Sequence, residues 1–120
     1  MKLNPYLTFK GNCEEAMNTY KDILGGEFTT VMRFKEAPEG LFPVPDFAKD
    51  LIMHCTLEFN GCTLLASDTI DEPGLNIGNN TSMSINAGEE EAHAIFNSLL
   101  QGGNMIMPFE DAFWGGKFGM

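Results

Sequence analysis

Two stretches about 76 residues apart read alike: EEAMNTYKDILGGE, from Glu14 to Glu27, and EEAHAIFNSLLQGGN, from Glu90 to Asn104. Each opens on Glu-Glu-Ala. Tyr20 and Phe96 each fall six residues after the first glutamate, and Leu24 and Leu100 fall ten after it. Each closes on a glycine pair, Gly25-Gly26 and Gly102-Gly103. Ala16, Tyr20, Ile23 and Leu24 recur at helical spacing, as do Ala92, Ile95, Phe96, Leu99 and Leu100, so each copy reads as an amphipathic helix. Asn12 stands where the first helix needs its cap, and Glu15 follows three residues on, as a capping box requires. The glycines supply the left-handed residue that ends a helix.

Each helix lies between strand-like segments. LNPYLTF precedes the first and FTTVMRF follows it; SMSIN precedes the second and MIMPF follows it. After FTTVMRF comes a loop, KEAPEGLFPVPDFAKD, then LIMHCTLEF and CTLLAS joined by Asn60-Gly61, a strong hairpin signal. A repeat this long is no solenoid unit. The pattern predicts an α+β domain of two β-α-β-β-β modules, with a cupped mixed sheet and helices outside it. Module one covers about 1–69, a linker about 70–80, and module two about 81–120, all within one domain, 1–120. In module two the segment FWGGKFGM reads as a third strand, and a fourth is missing from the sequence. That shortfall leaves an open strand edge and apolar side chains such as Phe113, Phe118 and Met120, for which a homodimer is the ordinary cover.

Seventeen acidic against seven basic side chains give a net charge of −10. Nucleic-acid phosphates and anionic membranes call for a basic face, so neither is expected as a partner. No stretch reaches the roughly 18 apolar residues of a membrane span, and the N-terminus lacks a signal peptide's apolar region. Cys13, Cys55 and Cys62 follow no metal or redox spacing. Unpaired thiols without a leader lead us to expect a cytoplasmic protein.

The stretches PYLTFKGNCEEAMNTYKDILGGE, MHCTLEFNG, LLASD, GGN and MPFEDAFWGGKFGM resemble the PhnB-like branch of the glyoxalase, bleomycin-resistance and extradiol-dioxygenase (vicinal oxygen chelate) superfamily. That branch often carries the label 3-demethylubiquinone-9 3-methyltransferase. The resemblance spans the whole chain and implies paired β-α-β-β-β modules. It also implies where a metal would sit, because metal-using members take His and Glu ligands from the first and fourth strands of each module. Those positions fall here on Pro5 and near Leu65, while Thr81 to Asn86 has no His, Asp or Glu. Neither Pro nor Leu binds a metal, so we expect no metal and no cofactor.

Strand alternation puts His54, Thr56 and Glu58 on one face of their strand, and Met53, Cys55, Leu57 and Phe59 on the other. Alternation does not say which face lines a pocket. His54 is the candidate general acid or base, against the alternative of a hydrogen-bonded structural histidine. Ser67 and Asp68 either present a hydroxyl and a carboxylate to a ligand or make a turn. Phe113 and Trp114 either wall a pocket by stacking on a flat ligand, or belong to a core or an interface. Cys13, at the first turn of a helix but beside Glu14 and Glu15, is read as a small inert residue, and His93 is read as solvent-facing. The apolar residues of the 35–50 loop, Leu41, Phe42, Val44 and Phe47, suit either a lid or a subunit contact.

Three functions fit these residues. One is a metal-independent protein that binds a small organic molecule and transforms it; a second binds and sequesters it, as bleomycin-resistance members do. The third, methyl transfer, finds no glycine-rich strand-to-helix loop for a nucleotide-like cofactor. A fold alone decides none of them.

Overall fold

The computed structural model describes residues 1–70 and 74–120; residues 71–73, inside the expected linker, lie outside the described residues. The chain falls into two units, Met1–Ile77 and Gly78–Met120.

The first unit is α+β. Its elements are β1 (Tyr6–Phe9), α1 (Cys13–Leu24), β2 (Glu27–Arg33), β3 (Ile52–Phe59) and β4 (Cys62–Asp68). They form a mixed four-stranded sheet in the order β1-β4-β3-β2, with β1 parallel to β4 and the other pairs antiparallel. The β3–β4 hairpin turns on Asn60 and Gly61, whose φ values of 47° and 77° are the left-handed pair that Asn-Gly accommodates. Gly26, φ 87°, fits only without a side chain: a Cβ there would collide with the Glu58 carbonyl and stand 2.6 Å from the Phe59 Cβ. The sheet therefore follows α1 immediately.

The core lies between α1 and one face of the sheet. Cys13 and Met17 from the helix meet Ile52, Cys55, Leu57, Leu64 and Ala66 from β3 and β4, with Leu7, Phe9, Tyr20, Phe28 and Phe59 packed around them. A register shift between Met32 and Arg33 puts Ile52 out of simple alternation with Cys55. It joins the helix face all the same. Burying Met17, Ile52, Leu57 or Leu64 contributes about 1.5–3 kcal/mol each.

The expected cap of α1 is corrected by the structure. The Asn12 side chain makes no cap hydrogen bond. The backbone N–H groups of Gly11 and Cys13 instead donate to Asp68 Oδ1, each at 2.9 Å, and the N–H of Ile52 donates to Asp68 Oδ2, also at 2.9 Å. Asp68 ends β4 on the helix face, so its carboxylate reaches the positive end of α1 and satisfies it from within the fold. Outside the core, Arg33 pairs with Glu14 and also donates to the Asp50 carbonyl at 2.7 Å. The 35–50 loop is closed at its base by Phe34 N–H to the Leu51 carbonyl and Lys35 N–H to the Lys49 carbonyl. Phe34 and Ala48 are buried, whereas Leu41 and Phe47 stay exposed.

The second unit holds α2 (Glu89–Leu100) and a small hairpin of β5 (Glu110–Asp111) and β6 (Lys117–Phe118). Backbone bonds from Ile106 and Met107 N–H to the Met120 carbonyl, and from Met120 N–H to the Met107 carbonyl, extend the pairing of MIMPF with FWGGKFGM. Phe109 stacks on His93 and leans on Phe96 of α2, and Lys117 pairs with Glu89. His93 is exposed, as its place on the polar side of the helix implies. The expected strand SMSIN is not seen: residues 82–86 join neither sheet. Met83 and Ile85 alternate as a strand would, but a strand exists only where a partner supplies its hydrogen bonds. Among the described residues, no helix is long and apolar enough to cross a membrane.

Candidate functional site

α1 covers the Cys55 and Leu57 side of the sheet, which settles the alternation of β3: His54, Thr56 and Glu58 face the other way. The strand registers place further side chains on that second face. Tyr6 stands beside Leu65, Thr8 beside Ser67, Leu65 beside Thr56, Thr63 beside Glu58, Thr30 beside Thr56, and Met32 beside His54. The face is rich in hydroxyl groups, and none of these residues is a lysine or arginine.

His54 sits among two of those hydroxyls. Tyr6 Oη lies 3.3 Å from His54 Nδ1, and Thr56 Oγ1 lies 3.2 Å from His54 Nε2. In a neutral imidazole one nitrogen accepts and the other donates. Both hydroxyls can play either part, so the trio supports either tautomer. When the ring takes a second proton, both nitrogens donate and both hydroxyls accept. The two hydroxyls hold the ring in place, which suits a single proton transfer. Tyr6 is half exposed and keeps the position reachable.

The other expected site residues separate. Ser67 shares the His54 face, half-buried beside Thr8. Asp68, the next residue, points to the helix side by strand alternation, is 4% exposed, and has both oxygens engaged by backbone N–H groups. It makes its bonds to the fold and offers no carboxylate beside His54. Phe113 and Trp114 belong to the second unit, where their rings meet edge to face and Trp114 also meets Phe118. They are 97% and 63% exposed, respectively.

The strand register sets Leu65 beside Tyr6, and the Leu65 N–H donates to the Pro5 carbonyl at 3.1 Å. The Leu65 side chain has no donor atom, and the described residues hold no cluster of three or more His, Cys, Asp or Glu able to bind a metal. The residues present do not fit the superfamily's metal group. Sequence reasoning passed over Tyr6, whose place beside His54 rests on a long-range parallel pairing that no local pattern fixes.

A depression of about 470 Å³ at the hairpin end includes Lys2, Glu27, Asn60 and, from the His54 face, Glu58 and Thr63, and a cleft of about 80 Å³ on the helix side reaches Cys55 between Met17, Phe28 and Ile52. Neither is lined by His54. The polar groups of the His54 trio converge on one another, whereas the larger depression is a shallow opening beside Lys2 and two carboxylates.

The chain is similar to solved structures along nearly its whole length. The crystal structure of protein PA1353 from Pseudomonas aeruginosa is 36% identical, with a TM-score of 0.82, over 100% of this chain and 87% of that one. A Bacillus cereus PhnB protein that carries a 3-demethylubiquinone-9 3-methyltransferase label is 27% identical, with a TM-score of 0.71, over 99% of this chain and 88% of that one. Protein YjdN of Escherichia coli K12 is 27% identical over 99% of this chain and 86% of its own length. No protein-family profile matches the chain.

Proposed function

The chain belongs to the family of PA1353, a PhnB-like family, and from that premise we propose that it binds a small organic molecule on the His54 face, without a metal. The observation that carries this reading is the Tyr6–His54–Thr56 trio on the face of the sheet that α1 leaves uncovered. The ligand takes the place of one of the two hydroxyls on the His54 ring, the ring exchanges a proton with it if a reaction occurs, and Ser67 adds a hydroxyl from the neighbouring strand.

The finer architecture belongs to the same proposal. The chain is a member of the glyoxalase, bleomycin-resistance and extradiol-dioxygenase superfamily, built on β-α-β-β-β modules. It works in the cytoplasm, in keeping with three free thiols. It forms a homodimer, in keeping with the exposed Met83, Ile85, Ile106, Phe113 and Trp114 of the second unit. Phe113 and Trp114 act there as interface or ligand-stacking groups.

A methyltransferase role is a poorer fit. A helix N-terminus is the usual seat for a cofactor's anionic group, and in α1 that seat is filled by Asp68. The second reading is sequestration without turnover. It is favoured by the engagement of both His54 ring nitrogens with hydroxyls, which suits a fixed hydrogen-bonding post.

A metabolite library screened by thermal shift identifies the ligand. His54→Ala then weakens its binding roughly tenfold or more, the loss of one hydrogen bond to a charged or polarised group. Unchanged affinity and turnover in His54→Ala would remove His54 from the site. Turnover of the ligand by the wild-type chain separates catalysis from sequestration.

A further inference from the structure

α1 and β3 bring two thiols together inside the core. Cys13 Sγ and Cys55 Sγ stand 3.9 Å apart, and the two residues are 0% and 2% exposed. Both lie on the helix face, away from His54. A disulfide bond measures about 2.05 Å, so the sulfurs need to close by roughly 1.9 Å, within reach of side-chain rotation and a small shift of the helix start. The cleft of about 80 Å³ between α1 and the sheet reaches Cys55. A molecule the size of water takes up about 30 Å³ of liquid, so a small hydroperoxide fits there.

We propose that Cys13 and Cys55 form an intramolecular thiol–disulfide site, oxidised by a hydroperoxide that enters through this cleft and closed into a bond tying α1 to β3. The Cys55 thiolate attacks one peroxide oxygen, the O–O bond breaks, and the leaving oxygen departs as water with the thiol's proton. Cys55 is then a sulfenic acid. The Cys13 sulfur displaces its hydroxyl, the S–S bond forms, and a second water leaves with the Cys13 proton. In total two thiols and one hydrogen peroxide yield one disulfide and two waters, and the two electrons lost by sulfur are gained by the peroxide oxygens.

The order of the two sulfurs follows from their surroundings. Cys55 lines the cleft and Cys13 does not. Either sulfur can be the donor of the Cys13–Cys55 contact; with the proton on Cys13 the contact favours a thiolate on Cys55 and lowers its pKa against the opposing effects of burial and the Asp68 charge. Cys13 is held above the ordinary thiol range, first by that hydrogen bond, then by burial and by the charges of Cys55, Asp68 and Glu14. The bond would span 42 residues of sequence, from the first residue of α1 to the strand that carries His54. Such a crosslink stabilises mainly by restricting the unfolded chain. The reduced pair needs no partner beyond the core, so the site is silent until an oxidant arrives.

The test uses the Cys62→Ser chain, which removes the exposed thiol and leaves the core intact. The reduced protein is treated with hydrogen peroxide, then denatured and alkylated. Both remaining thiols should disappear together, the intact mass should fall by two hydrogens, and a non-reducing peptide map should join the Cys13 and Cys55 peptides. The melting temperature should rise by about 5 °C or more and return on reduction. Two free thiols in a folded chain after excess peroxide would overturn the proposal, as would oxygen added to Cys55 with no crosslink. In Cys13→Ser the sulfenic acid has no resolving partner, so dimedone should label Cys55; a folded variant left unlabelled would overturn the peroxide step. The Cys62→Ser measurement stands alone if Cys13→Ser does not fold.

Discussion

Helices α1 and α2 are each twelve residues long and occupy the same register of the repeat, so that Cys13 aligns with Glu89 and Met17 with His93. Yet α1 buries Cys13 and Met17, and α2 buries none of its residues. The difference is the surface each is given. α1 lies on a four-stranded sheet whose face carries Cys55, Leu57, Leu64 and Ala66. α2 meets a hairpin of two-residue strands and the ring of Phe109. An apolar stripe therefore selects the side of a helix that can be buried, and a sheet broad enough to receive it decides whether it is.

The sharpest way to break this contrast is through Asp68. Asp68→Ala leaves the buried N–H groups of Cys13 and Ile52 and the part-buried N–H of Gly11 without their acceptor and removes the anion at the start of α1. We expect a loss of about 3–5 kcal/mol, read as a shift of the urea midpoint by circular dichroism. A loss below about 1 kcal/mol would mean that α1 does not depend on the sheet for its cap, and the contrast with α2 would fail.

The second test concerns the other unit. If a second copy of the chain covers its apolar side chains, light scattering at tens of micromolar gives twice the 13.2 kDa chain mass. Trp114→Ser should then weaken the dimer tenfold or more, as the loss of a buried aromatic anchor does. A wild-type chain that stays monomeric at that concentration would end the dimer proposal and leave the second unit's apolar surface unexplained.

The smallest effect is electrostatic. Arg33, by its hydrogen bond and then its charge, holds the Glu14 carboxyl below its ordinary value. A depressed carboxylate contributes stability that is present above the unfolded chain's pKa and lost as the pH falls through the lower, folded one. The Glu14 side chain is 54% exposed, so screening limits the contribution to under about 1 kcal/mol. Glu14→Gln should therefore be slightly less stable than wild type at neutral pH, with the gap closing as the pH drops below the usual carboxylate range. A gap that is constant with pH would show that the pair stabilises by packing and not by charge.

Much of the first unit was legible in sequence because its signals are local. The alternation of β3 gave both its faces, Asn60-Gly61 gave the hairpin, and helical spacing with a glycine pair gave α1. Three features were not legible because each rests on a pairing across the chain. Asp68 caps a helix that begins 55 residues earlier. Tyr6 meets His54 across 48 residues, through a parallel register that no local pattern fixes. Residues 82–86 carry the alternation of a strand, but alternation does not provide a neighbour. The candidate site was legible in His54 and Ser67, and missed in Tyr6, for that same reason.

The distance between α1 and its cap has a consequence for synthesis. A chain leaves the ribosome from its N-terminus, so α1 emerges complete long before Asp68 exists to close it. During that interval the first turn of the helix has only solvent for its Gly11 and Cys13 N–H groups, and its apolar stripe has no sheet beneath it. The segment cannot mature as it appears; it waits for the β3–β4 hairpin, and the last residue of that hairpin is the one that completes it. The helix comes early in the sequence and late in assembly.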